Sequence, residues 1–143
     1  MNPANENDLH ELIDEFEELA DWDERYEFLI ELGRELPSMP AGEQTDSNKV
    51  EGCMSTVWMV TDYPAAPSGE PRLNIHADSD SIMVKGLLAI LLTAFNGKTR
   101  DEVASFDVDG LFQRLGLDQH LSPNRRNGLF SMVKRIRQSA VTP

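Results

Sequence analysis

The chain has 143 residues, of which 40% are hydrophobic and 27% charged, and it carries a formal charge of -12 from 25 acidic against 13 basic side chains. This length supports one hydrophobic core, read as a single domain over residues 1–143, and the acidity argues against binding to a phosphate backbone as the main activity, so no nucleic-acid partner is expected. The single cysteine, Cys53, excludes an internal disulfide, and with only three histidines no zinc-type spacing and no metal site is expected.

From Asn7 onward Leu9, Leu12, Ile13, Phe16, Leu19 and Ala20 recur at spacings of three and four, which predicts an amphipathic helix ending near Asp21. Asp21-Trp22-Asp23-Glu24 has the form of a capping box. It opens a second helix with Trp22, Tyr26, Leu29, Ile30 and Leu36 on its apolar face, antiparallel to the first and ending before Pro37. Residues 1–35 hold 13 acidic and 2 basic side chains, whereas residues 99–143 hold 5 acidic and 7 basic. The acidic helix pair reads either as a solvated face or as a surface that steers a basic partner.

Pro37 to Asn48 is a loop that delivers the chain to Lys49-Val50-Glu51-Gly52-Cys53. The strand Ser55 to Tyr63 follows and pairs as a hairpin with Arg72 to Ala77, in which Leu73, Ile75 and Ala77 face inward. Trp58 is expected in the core behind the cysteine loop, and Asp78 and Asp80 most simply cap the next helix. That helix, Ser81 to Phe95, is apolar nearly all round and is placed at the centre, with Gly97 as its stop and Lys85 reaching to the surface. Despite its apolar character the helix is too short to cross a bilayer, and no other stretch does better, so no membrane partner is expected. The polar, acidic N-terminus has no basic or apolar leader region, and the expected compartment is the cytoplasm.

Thr99 with Glu102 forms a further capping box, and a short helix is predicted near Asp109 to Leu115. Ser122-Pro123 reads as an N-cap followed by a first-turn proline. Leu129, Met132, Val133 and Ile136 form the apolar face of the final helix, whose Lys134, Arg135 and Arg137 are placed to suit the C-terminal dipole. The order of elements gives an α+β fold, a small antiparallel sheet of about three strands flanked by helices.

The chemistry centres on Cys53. Its place at a loop-to-strand boundary, with Gly52 before it and Met54 and Ser55 after it, points to exposure or near-exposure. Only the thiolate is nucleophilic; of the neighbours in sequence Lys49 alone would assist ionisation, Glu51 works against it, and Val50, Val57 and Trp58 oppose it if they enclose the sulfur. A shielded thiol that acts when a partner exposes it fits these neighbours, as does a packing cysteine in a helical interaction module. A third reading is a Cys-His hydrolase pairing Cys53 with His76 or His120, with Asp78 orienting the imidazole.

The stretch N-K-V-E-G-C-M-S-T-V-W, followed by D-S-D-S-I-M-V-K-G-L and L-S-P-N-R-R-N-G-L, and preceded by W-D-E-R-Y-E-F-L-I-E-L-G-R-E-L-P, resembles the SufE family of sulfur-acceptor proteins, which includes the related CsdE proteins. Met54 and Thr56 stand where other members carry glutamine. The resemblance implies a SufE-like/IscU-like fold and an accessory protein that is not itself an enzyme. Cys53 would take sulfur as a persulfide from a pyridoxal-phosphate-dependent cysteine desulfurase, stimulate that enzyme, and pass the sulfur to an iron-sulfur cluster assembly scaffold. The chain would need no cofactor, since the pyridoxal phosphate belongs to the partner. By the same resemblance Gly52, Met54, Asp78, Asp80 and Arg125 are candidates for contact with the desulfurase.

Overall fold

The structure is a computed structural model that describes residues 6–53, 55–67 and 69–141. Helix α1 (Glu6–Glu18) turns an apolar stripe of Leu9, Leu12, Ile13 and Phe16 into the core, and all its described acidic side chains are exposed. Helix α2 (Trp22–Glu35) starts at Asp21, whose carboxylate accepts from the Glu24 amide at 3.0 Å. The reciprocal half of the expected capping box is shifted, because Glu24 reaches back to the amide of Ala20 at 2.8 Å and not to that of Asp21. The two helices turn a corner held by the rings of Phe16 and Trp22, 5.8 Å apart, and each packs onto the central helix.

That centre is α3 (Ile82–Phe95), where Val84, Leu87, Leu88, Ile90, Leu91, Ala94 and Phe95 are all buried. An apolar surface on every side is what lets one helix receive α1, α2, the sheet and the last helix. Its contact with α2 is close because both helices present glycine. A Cβ on Gly33 would stand 2.5 Å from the Ile82 carbonyl oxygen, and one on Gly86 would strike the Leu29 carbonyl. The cap of α3 is Ser81, whose Oγ accepts from the Val84 amide at 3.3 Å. Asp78 and Asp80, expected as caps, are used elsewhere.

The sheet has two strands among the described residues, β1 (Val57–Asp62) and β2 (Asn74–Ser79), antiparallel in the register Val57 to Ser79 through Asp62 to Asn74. The expected third strand is reduced to one bridge between Lys49 and Trp58. The preceding segment is taken up by 3-10 turns at Ala41–Glu43 and Asp46–Asn48, and a turn follows at Glu51 and Gly52, which leaves too little extended chain for a ladder. Val57 and Met59 face inward opposite Ser79 and Ala77, so Trp58 stands on the outer face beside Asp78, partly exposed and outside the core. Strand β1 begins two residues later than expected because Thr56 bonds to the Ser79-Asp80 corner.

The remaining chain is helical. The reciprocal capping box of Thr99 and Glu102 opens α4 (Arg100–Ser105), and Asp107 caps α5 (Val108–Leu115). A one-turn helix α6 (Leu117–His120), without a sequence signal of its own, follows Gly116. The ring of His120 stacks on Trp22 at 4.2 Å, while its carbonyl accepts from Tyr26 Oη at 2.7 Å. Helix α7 (Pro123–Val141) is capped by Ser122, whose Oγ accepts from the Arg125 amide at 3.3 Å. It buries Leu129, Met132, Val133 and Ile136 and runs on to Val141. Lys134, Arg135 and Arg137 are therefore mid-helix, too far from its end to complement the dipole there. Two of them act as struts: Arg137 Nη2 donates to the Phe106 carbonyl at 2.8 Å, and Arg135 serves the cysteine turn.

Candidate functional site

The turn that carries Cys53 is pinched at its base. The Val50 amide donates to the Val57 carbonyl at 2.8 Å, and Lys49 bridges to Trp58. From helix α7 the guanidinium of Arg135 clamps both sides of this base, Nη1 donating to the Lys49 carbonyl at 2.9 Å and Nη2 to the Met59 carbonyl at 3.2 Å. On the downstream side Thr56 is bound to the end of β2. Its amide donates to Asp80 Oδ1 at 3.2 Å, and its carbonyl accepts from Ser79 Oγ at 2.8 Å and from the Asp80 amide at 3.3 Å. Asp80 thus holds the chain leaving the cysteine, which explains why it does not cap α3.

Between these anchors the turn rests on α7. Gly52 has φ +91, a conformation that costs a residue with a Cβ, and a Cβ there would stand 2.5 Å from Ser131 Oγ. Cys53 is partly buried, and its thiol donates to the Gly128 carbonyl at 3.6 Å, a weak bond of the kind sulfur makes. A Cβ at position 128 would lie 3.4 Å from the sulfur, so the glycine forms the seat on which the thiol sits.

The thiol lines a cleft of ≈ 310 Å³ with an apolar floor of Val57, Val84, Leu87 and Met132 and a polar side of Ser55, Ser122, Asn124 and Arg125. Burial pushes the Cys53 thiol above its ordinary value, so it stays protonated at neutral pH while docked. The site therefore holds a half-buried, protonated thiol on the wall of an open cleft.

Of the residues singled out from sequence, Gly52 and Cys53 form the turn and Arg125 lines the same cleft. Asp80 supports it through Thr56. Asp78 lies on the outer face of β2, with Lys85 Nζ 3.5 Å away, its own neighbour Ser79 donating an amide to it, and Gln44 at 3.4 Å. Met54 lies outside the described residues. No histidine lines the cleft: His76 faces outward, with Nδ1 3.0 Å from Glu43, His120 is stacked on Trp22, and His10 is on the exposed side of α1. Cys53 thus has no imidazole partner in the cleft, and the constellation a Cys-His hydrolase needs is not assembled there. Among the described residues no group of three or more His, Cys, Asp or Glu side chains is placed to hold a metal ion. No described helix is long and apolar enough to cross a membrane.

Gly128, Ser131, Ser79 and Arg135 belong to the site although sequence reasoning did not select them. Gly128 had a readable signal, since a glycine inside an otherwise helical apolar pattern marks a close approach.

The family model of the SufE, Fe-S metabolism associated domain matches residues 10–140. A SufE-like protein of Rhizobium meliloti (strain 1021), described as uncharacterised, is 43% identical over 132 residues, covering 92% of this chain and 94% of its own. A second such protein, from Rhizobium etli, is 45% identical over 132 residues, covering 92% and 88%. The solution structure of a hypothetical protein from Thermus thermophilus superposes with a TM-score of 0.69 over 93% of each chain at 22% identity, which shows a common fold. With the family model spanning all but its ends and close relatives across nine-tenths of its length, the chain belongs to the SufE family of Fe-S metabolism associated domains.

Proposed function

We propose that this chain, acting as one SufE-like domain in the cytoplasm, is a sulfur acceptor and carrier for iron-sulfur cluster assembly, with Cys53 as the covalent acceptor. The observation that carries the reading is the placement of the only cysteine on a braced turn, its thiol seated against Gly128 inside a cleft. The donor is a cysteine desulfurase whose own catalytic cysteine bears a persulfide, and the pyridoxal phosphate that generates it stays on that partner. The Cys53 thiolate attacks the terminal sulfur. A new bond forms from Cys53 Sγ to that sulfur, the donor's S–S bond breaks, and the donor cysteine leaves as a thiolate that takes up the proton Cys53 gave to solvent. No net oxidation occurs. Removal of the persulfide from the desulfurase frees it for another turnover, which is how an accessory protein that is not an enzyme stimulates one.

Access requires the thiol to leave its seat. Glu51 to Ser55 span two firmly bonded anchors, and the contact that holds the sulfur itself is a weak S–H···O bond at 3.6 Å. A swing of the turn about Val50 and Thr56 costs a few kcal/mol, which keeps the undocked state a minor one, and moves the sulfur from a setting that suppresses its ionisation to one that permits it. Returning to the cleft shields the loaded persulfide from reductants and oxidants. Arg125 at the cleft, Gly52 in the turn, Asp80 beside it and Asp78 on the outer face of β2, with Met54 by its place next to Cys53 in the sequence, supply contacts for the desulfurase, and the recipient of the sulfur is an iron-sulfur scaffold protein.

The test is desulfurase turnover on free cysteine with the chain added. Wild type raises turnover and Cys53→Ser does not, although the serine preserves the shape of the site. Equal stimulation by both variants would assign any effect to docking alone and defeat the carrier reading.

A further inference from the structure

Helix α7 has a second face that the cysteine site does not use. At about 100° per residue Gly128 and Met132, which meet the cysteine turn and its cleft, point away from Phe130, Lys134, Arg137 and Val141. These four, with Val133 beneath them and Asp109 of α5 opposite, line a groove of ≈ 370 Å³. It is apolar where it should be wet. Phe130 is 43% exposed and Val141 76% exposed, two of the three large apolar side chains described as exposed, and both lie along this one stripe. Phe130 is held in place by an edge contact with Phe112, ring centroids 6.1 Å apart. The groove is also cationic in an otherwise acidic chain. Lys134 is exposed, the Arg137 guanidinium is fixed by its bond to the Phe106 carbonyl, and Asp109 is the single acid of the lining.

We propose that the α5–α7 groove is a docking site for an acidic amphipathic helix of a partner protein. The stripe from Phe130 to Val141 runs about 16 Å along the axis, the length of three helical turns, and apolar anchors at helical spacing flanked by cations suit a helix with a matching apolar edge and carboxylates beside it. Because the groove and the Cys53 cleft lie on opposite sides of α7, a helix docked here leaves the thiol open to another protein. The chain can then hold one partner while exchanging sulfur with a second. The existence of the groove as a binding site does not depend on the chemistry proposed for Cys53.

The probe is a side-chain-stapled, fluorescein-labelled peptide with the sequence of α1, ENDLHELIDEFEE, an acidic amphipathic helix, titrated with the full chain and followed by anisotropy. The expected result is saturable binding that weakens with added salt and falls about tenfold or more, the equivalent of 1.4 kcal/mol, in the double variant Lys134→Glu, Val141→Glu. Both positions are exposed, and circular dichroism melting checks that the variant remains folded. Alkylating Cys53 with a maleimide leaves the affinity unchanged. The proposal is overturned by absence of saturable binding, by equal binding to the double variant, or by loss of binding on alkylation. It is equally overturned if wild type sediments as a dimer that Val141→Glu dissolves, which gives the groove to a second copy. Pelleting with phosphatidylserine vesicles that the double variant abolishes would give it to a membrane instead.

Discussion

Replacing Gly52 by alanine strains the docked cysteine turn and leaves the undocked one free. In the docked state residue 52 has φ +91, and an added Cβ would sit 2.5 Å from Ser131 Oγ. Holding alanine in a left-handed conformation costs about 1–2 kcal/mol, and pushing the serine hydroxyl to another rotamer adds roughly 0.5–1 kcal/mol. Once the turn lifts from α7, alanine relaxes to negative φ and both costs vanish. The strain therefore raises the population of the undocked state, and about 1.5–3 kcal/mol corresponds to roughly a 10- to 150-fold increase. The assay is the rate of alkylation of Cys53, unambiguous because there is no other thiol in the chain. Gly52→Ala alkylates roughly 10- to 150-fold faster than wild type, and Ser131→Ala added to it brings the increase back to about 5- to 30-fold by removing the clash and leaving the backbone cost. In strong denaturant all three chains react alike. Equal rates in the folded wild type and Gly52→Ala would show that docking on α7 does not control access to the thiol.

Other outcomes follow from the same contacts. The alkylation rate of wild type rises with pH around a midpoint above the ordinary 9.0, because burial raises the docked thiol; denaturant returns the midpoint to the ordinary value. The fold prefers the protonated thiol, so its contribution to stability is fully present below the unfolded pKa and is lost as pH rises through the folded one. Cys53→Ala, measured by melting, removes that alkaline loss. Arg135→Met breaks two bonds from a charged donor to the Lys49 and Met59 carbonyls and lowers stability by about 2–3 kcal/mol, seen as a lower urea midpoint, whereas an unshifted midpoint would show the clamp to be superfluous. Glu102 is held below its ordinary 4.5, first by the Thr99 amide that bonds it and, against an opposing effect of burial, by the Arg72 charge nearby. Its contribution is present above the unfolded pKa and lost as pH falls through the lowered folded value. The melting difference between wild type and Glu102→Gln therefore persists at neutral pH and closes only below pH 4.5.

Local chemistry was the part of this fold legible in the sequence. The all-round apolar run of α3, the Thr99–Glu102 box and the Ser122-Pro123 start each depend on neighbours within a turn, and each appears where the pattern put it. In V-W-M-V both phases of the strand are apolar, so alternation could not say whether Trp58 or Met59 faces in; the register against β2 decided it. Asp78 and Asp80 both looked like caps. Only the fold brings Thr56, more than twenty positions earlier, within reach of Ser79 and Asp80 and leaves the cap to Ser81. The basic residues of α7 read as dipole partners from spacing alone, yet Arg135 is used by carbonyls some 76 and 86 residues away. For the site, the glycine-cysteine step located the thiol, but its seat on Gly128 and Ser131 is a contact between segments that no local pattern encodes.

Whether Cys53 accepts sulfur is decided by the intact mass of the chain after incubation with a cysteine desulfurase and free cysteine. The expected spectrum shows the added mass of one sulfur atom, mapped by digestion to the peptide containing Cys53, removed by reductant and absent from Cys53→Ser. A chain that stays at its unmodified mass while the desulfurase turns over, or that gains sulfur equally without Cys53, would rule out the carrier role.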